Sequence, residues 1–469
     1  MNEPAHEHVP LPSVPLAEMP SALMPTLASL PPYRPKRGAR FLGTVLAWPR
    51  AVLRHPLRSL GIAVLLLVIA TGIGIAGIWL WASYHLRAGR AAVQHYHTPE
   101  AVLHLQAALS IWPRDPETLL LAARAARRAA SFNTADHFLD LYQELRKEDK
   151  DLTLERICLR AERGEPDSVA KYCQSLVEQN DADAPLVLEA LAQGYLRSYQ
   201  PQKAQMVLSK WLELEPDNPQ ALHIQGQVYD LESRQADAIK SYRAALTADP
   251  TLDEARLRLC DVLMQLGSYE EAQPHLEYLR GRLPQHPKVL VYLARIQDRQ
   301  GHPEEADKLL AEALARQPHF APALVDRGVL AIRAGRFGEA EKYLREAVQY
   351  DPSDFQAHDR LAFCLEQNDK PAEADKLREH IKQMEKDMTE IQAIIRQGLL
   401  ERSPHDADLH YRIGMISLRA GAEAEALRWL HSALQEDPNH QGAHKALMEY
   451  YQRIRNFRKA DEHRQKLLK

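Results

Sequence analysis

The sequence predicts an all-α chain: a superhelical solenoid of about eleven helix–turn–helix units, preceded by one transmembrane helix and a disordered N-terminal tail. Three observations carry that reading. Pro216, Pro250, Pro284, Pro318 and Pro352 recur at a fixed interval of 34 residues, and Ala204, Ala238, Ala272, Ala306, Ala340 and Ala374 keep the same interval twelve positions upstream. A period of that length belongs to helix–turn–helix repeats, which bury their apolar faces only by stacking on one another. The run from Leu60 to Ala82 has no charged side chain. Few aromatic residues and abundant Ala, Leu, Glu, Arg and Gln suit a helical body.

In chain order, the first thirty-odd residues are rich in proline, from Pro4 and Pro10 to Pro32 and Pro35. Such a segment buries too little apolar surface to fold, and residues 1–58 are read as a disordered, basic tail. Residues 59–82 follow as a membrane anchor. A helix from Leu60 to Ala82 rises about 34 Å against a hydrocarbon layer of about 30 Å. Trp79 and Trp81 stand where interfacial aromatics are expected, and the bulky "WLWAS" exit lacks the small-residue pattern of a cleaved signal. Arg34, Lys36, Arg37, Arg40, Arg50, Arg54 and Arg58 precede the run with no acid among them, whereas only Arg87 and Arg90 follow it before Glu100. This asymmetry keeps the N-terminus cytoplasmic and puts the repeats on the far side, the periplasm in a bacterium. No proline or polar linker lies between Trp79 and Tyr96, so unbroken helix is expected across Ala82 to Ala92. It should end at the His97-Thr98-Pro99 turn, with Thr98 as cap and Pro99 opening the next helix.

Within each unit, position 8 is small (Ala192, Gly226, Cys260, Ala294, Gly328, Ala362) and position 20 is the periodic alanine. Small residues let two helices approach closely. The proline then stops the second helix, and the acids of "EPDNP", "DPTLD" and "DPSD" suit the turn and the next cap. At these positions the chain resembles the tetratricopeptide repeat family, whose motif has small residues at positions 8, 20 and 27 and proline at 32. The resemblance implies a right-handed superhelix whose inner wall holds protein or peptide partners. In that family, positions 2, 5, 9, 12 and 13 of the first helix line the concave face. Carried onto this sequence, they offer Val325, Val329, Ile332 and Phe363 as an apolar strip flanked by Arg295, Arg299 and Arg333, a surface for a peptide with an acidic flank. The Lys and Asn clamp of the family's chaperone-tail readers is absent, because position 9 runs Gln227, Asp261, Arg295, Val329 and Phe363.

The array spans 83–388 and resumes over 407–469 as a C-terminal pair and charged cap. Between them, 389–406 is an insertion: Ala374 and Ala426 are 52 residues apart, and Lys386 stands where proline is expected. Apolar residues continue from Leu377 through Ile381, Met388 and Ile395 to Leu399, which describes either one protruding helix or a helix that breaks near Asp387 and packs inside the solenoid. The second reading is the better supported.

Composition excludes several functions. A net charge of -4, from 59 basic and 63 acidic residues, gives no general attraction to nucleic acid. Four cysteines make no disulfide framework; Cys158 and Cys260 occupy small packing positions, and a Cys158–Cys173 bridge is the alternative. Gly72, Gly74 and Gly77 match G-x-G-x-x-G only inside the apolar run, where small residues serve helix packing. His95 and His97 have no further ligands nearby and read as a polar helix end. No catalytic or cofactor motif occurs, so no cofactor, no metal and no enzymatic activity are expected. The expected function is a membrane-anchored scaffold or adaptor. The alternatives are a regulatory or targeting subunit of an envelope enzyme, or a self-associating structural membrane protein forming homo-oligomers.

Overall fold

The computed structural model describes residues 56–179 and 181–468, and these contain 23 helices and no strand. The tail up to residue 55, with most of the basic residues that set the orientation, lies outside them. In order, the helices are α1 (Pro56–Gln94), α2 (Thr98–Ile111), α3 (Pro116–Arg128), α4 (Phe132–Arg146), α5 (Lys150–Arg163), α6 (Pro166–Glu178), α7 (Ala184–Arg197) and α8 (Pro201–Leu214). There follow α9 (Pro219–Leu231), α10 (Gln235–Ala248), α11 (Asp253–Gln265), α12 (Tyr269–Arg282), α13 (Pro287–Arg299), α14 (Pro303–Arg316), α15 (Ala321–Arg333) and α16 (Phe337–Tyr350). The last are α17 (Phe355–Gln367), α18 (Pro371–Arg396), α19 (Leu399–Arg402), α20 (Ala407–Arg419), α21 (Glu423–Glu436), α22 (Gln441–Arg453) and α23 (Phe457–Leu467). They form two compact units that divide between Leu159 and Arg160.

In the first unit, α1 is a single helix of 39 residues, unbroken across 82–92 as its lack of proline and linker residues requires. Val64–Gln94 is long and apolar enough to cross a membrane, and its apolar side chains from Val64 to Leu80 are exposed. Gly72, Gly74 and Gly77 lie within this helix, not in a phosphate-binding loop. The chain reverses at Tyr96, whose φ is 58°, and α2 packs back on α1. Thr98 is not the cap here: it is already the first residue of α2, and His97 occupies the cap without a side-chain hydrogen bond. Val93, Ala101, Leu105, Ala122 and Ala125 form the core between α1, α2, α3 and their neighbours.

The second unit shows why the 34-residue period works. Ala204, Ala238, Ala272, Ala306, Ala340 and Ala374 are all at most 1% exposed. At position 8, a Cβ on Gly226 would come within 2.5 Å of the Tyr242 ring, so the two helices of that pair require a residue without one. Each periodic proline falls in the turn after a second helix, as Pro216 does two residues beyond the end of α8. The next helix is then capped from the same turn: the Asn218 side chain accepts from the N–H groups of Gln220 and Ala221, and Asp354 from Ala357. In "DPTLD" the cap position is Leu252, and Asp249 instead accepts from Thr251 inside the turn.

First helices of neighbouring pairs touch one another (α7 with α9, α9 with α11, α13 with α15, α15 with α17), so they line the inner wall. The insertion departs from expectation at its break. α18 runs unbroken through 26 residues, because Asp387 does not stop the helix; its buried carboxylate accepts two bonds from Arg419 of α20, each 2.7 Å, and one from Gln383. The chain turns only at Gly398, in the left-handed region at φ 58°. The inserted residues do pack inward. Ile391, Ile394, Ile395 and Leu400 join Ile413, Trp429 and Tyr199 in one core, so the late repeats of this unit close onto the α7–α8 turn.

Candidate functional site

The inner wall of α13, α15 and α17 carries the candidate site. In α15 (APALVDRGVLAIR), Ala323, Leu324 and Val325 face the packing core, and Gly328 admits Leu344 of α16 so closely that a Cβ would meet it at 2.8 Å. With those positions committed to packing, Val329 and Ile332 remain half-buried on the groove side. Across from them, Phe363 of α17 is 42% exposed, its ring held edge-on against Phe337 at 6.0 Å. These three apolar side chains, with Arg333, Asp359, Glu366 and Arg378 among their neighbours, line a recess of about 380 Å³.

The charged rim is compensated, not basic. Arg295 donates to Asp326 of the next pair at 2.7 Å, and Arg333 is paired with Asp298 of the preceding one. Arg378 pairs with Glu366. Arg299 lies over the Tyr269 ring, 4.6 Å from its centroid. Of the seven residues carried over from the repeat pattern, Val329, Ile332, Arg333 and Phe363 therefore meet at the recess. Arg295 and Arg299 sit on α13 with partners of their own, and Val325, 3% exposed, lies in the core beneath. Sequence reading missed Asp326 and Arg378. The signal was present one period away, since the Arg295–Asp326 and Arg333–Asp298 separations are 31 and 35 residues, that is, 34 less three and plus one.

A second recess is lined by polar groups that pair with one another. This recess, of about 750 Å³ beside α16 and the α17–α18 turn, contains Glu341, which accepts from Lys370, Arg345 and Asn368 at 2.7–3.0 Å. Burial opposes its charge, but those three donors outweigh burial and hold its carboxyl at about 2. All four cysteines are buried and none is in a disulfide, so Cys158 and Cys173 are not bridged. Burial pushes the thiols of Cys173 and Cys364 up to about 11 and that of Cys260 to about 12, so none of these three offers a thiolate near neutral pH. No group of three metal-ligating side chains occurs among the described residues. The arrangement is suited to holding an apolar side chain between charged walls.

Two models of the tetratricopeptide repeat match the chain, one over residues 232–277, 263–325 and 331–398, the other over 189–253 and 392–440. This chain is a tetratricopeptide repeat protein. The array is similar to that of the human IFIT1 dimer with m7Gppp-AAAA (15% identity over 76% of this chain and 90% of that one, TM-score 0.41). It is also similar to Pseudomonas aeruginosa PilF (18% identity, 47% and 98%, TM-score 0.37) and to yeast Tom70 (14% identity, 68% and 89%, TM-score 0.35). No curated protein sequence matches it.

Proposed function

We propose that this tetratricopeptide repeat protein is a membrane-anchored scaffold or adaptor that holds a protein or peptide partner on the inner wall of its second unit. The observation that supports it is the recess formed by Val329, Ile332 and Phe363: an apolar floor left open to solvent, with charged pairs around its rim. Covering an apolar side chain there contributes about 1.5–3 kcal/mol, and the charged rim sets the direction of an extended or helical segment. The anchor is α1. Its exposed apolar length spans a bilayer, and the basic residues before it favour a cytoplasmic N-terminus with the repeats on the opposite side. Because α1 continues into the first helix pair, that pair is mounted at the membrane without a flexible tether.

Phe363 is the residue to change, since the arginines are engaged within the fold, Arg295 and Arg333 in ion pairs and Arg299 over the Tyr269 ring. The full-length protein extracted in mild detergent should retain a stoichiometric partner, and Phe363→Asp should lose that partner while its helical signal and melting temperature stay as in the wild type. Equal recovery by the variant would remove the recess from the reading. A co-purifying enzyme would favour the regulatory-subunit alternative, and recovery of this chain alone as an oligomer would favour the structural one.

A further inference from the structure

Trp112 ends α2 and has no role in the repeat pattern, yet its position is set by the helix it descends beside. Gly89 of α1 faces Leu105 of α2; lower on α1, the Trp79 ring meets Trp112 edge-on, with centroids 5.3 Å apart. Trp112 is therefore level with Trp79. Trp79 itself stands three residues, about 4.5 Å of helix rise, inside the end of the apolar run at Ala82. Any plane that bounds the hydrocarbon around α1 thus also cuts the corner between α2 and α3.

We infer that this corner, Ile111 to Arg114, is a second lipid-contact element seated at the boundary between headgroups and acyl chains. The inference rests on the membrane-anchor reading of α1. The chemistry of the corner suits that boundary. Ile111, Pro113 and Arg114 are exposed, and the amphipathic indole of Trp112 joins those of Trp79 and Trp81 at the depth where tryptophan is favoured. Arg114 places a cation beside the lipid phosphates. The acids nearby are turned elsewhere: Asp115 accepts from the Thr118 N–H at the start of α3, and Glu117 pairs with Arg90. On the same helix, Leu103 is also exposed but lies more than about 10 Å further from the bilayer, beyond the level of Gly89. One partner is implied, a bilayer leaflet, and it would seat this end of the first repeat on the membrane beside the tether.

The test uses the full-length protein in phosphatidylcholine–phosphatidylglycerol vesicles, with a nitroxide label placed in turn at L67C, I111C and L103C. Collision with oxygen against collision with a water-soluble nickel chelate reports depth. L67C should be deep, I111C shallow but protected from nickel several-fold relative to L103C, and L103C aqueous. If L67C is deep while I111C is as open to nickel as L103C, the corner does not touch lipid and the inference is wrong although the anchor stands. If L67C is itself aqueous, the anchor reading fails and the inference fails with it.

Discussion

At the scale of single residues, the fold hides ionisable groups whose charge state it fixes. His223 is 2% exposed and titrates at about 3 instead of 6.5, held neutral by burial first and by the Arg258 cation second. Between those values the unfolded chain takes up a proton that the folded chain refuses. The stabilisation is thus fully present above about pH 6.5 and falls by about 1.4 kcal/mol per pH unit below it. Glu341, held at about 2 against 4.5 when unfolded, acts in the same direction in a lower window: its contribution is present above about pH 4.5 and is lost as the pH falls toward 2. The urea midpoint of the wild type should therefore drop from pH 6.5 to 5, and that of His223→Gln should drop less steeply; parallel slopes would mean His223 is not the group. Neither role was legible in the sequence. His223 sits at a position that the repeat pattern turns toward the groove, and only its neighbours Tyr242 and Arg258 show that it is enclosed.

At the scale of elements, what repeats was legible and what is unique was not. The alanines, prolines and small residues at position 8 each answer a packing need that recurs every unit, so they recur in the sequence. A further periodic signal is explained by the turn between paired helices, where position 15 takes a left-handed backbone: Gly267, Gly301 and Gly335 have φ of 70–85°, and Ser233 and Asp369 are forced to 59° and 57°. A side chain in that region costs about 1 kcal/mol that glycine avoids. Asp369→Gly and Ser233→Gly should each raise the melting temperature, with glycine-to-alanine at Gly301 lowering it; no response at any of the three sites would show that the turns relax freely. The expected break near Asp387 failed because a lone acid in a helix cannot be distinguished, by sequence, from one that is buried against an arginine on α20. For α1, the charge asymmetry before Leu60 makes a directional test. An alkaline phosphatase fusion after residue 150 should be active, whereas an active cytoplasmic reporter at the same site would reverse the orientation.

At the scale of the whole molecule, the second unit carries the proposed activity, and its closure is the part that no period could foretell. Tyr199 stacks on Trp429 at 6.5 Å, and Arg428 donates to the Arg197 carbonyl, contacts between residues some 230 positions apart. Trp429→Ala should cost about 3–5 kcal/mol and speed amide exchange together in the α7–α8 turn, in α19 and in α21. A change confined to α21 would mean that the late repeats do not clasp the early ones. Closure of this kind leaves the recess at Phe363 on a fixed inner wall, so the proposed partner would meet a preformed surface. The decisive experiment is site-specific photo-crosslinking in intact membranes, with a benzophenone side chain at Phe363 and, as the comparison, at Met206, 70% exposed on the second helix α8. A discrete adduct with another polypeptide from Phe363 and none from Met206 is the expected result. Identical patterns from the two sites, or no adduct from Phe363, would show that the inner wall is not where this protein holds its partner.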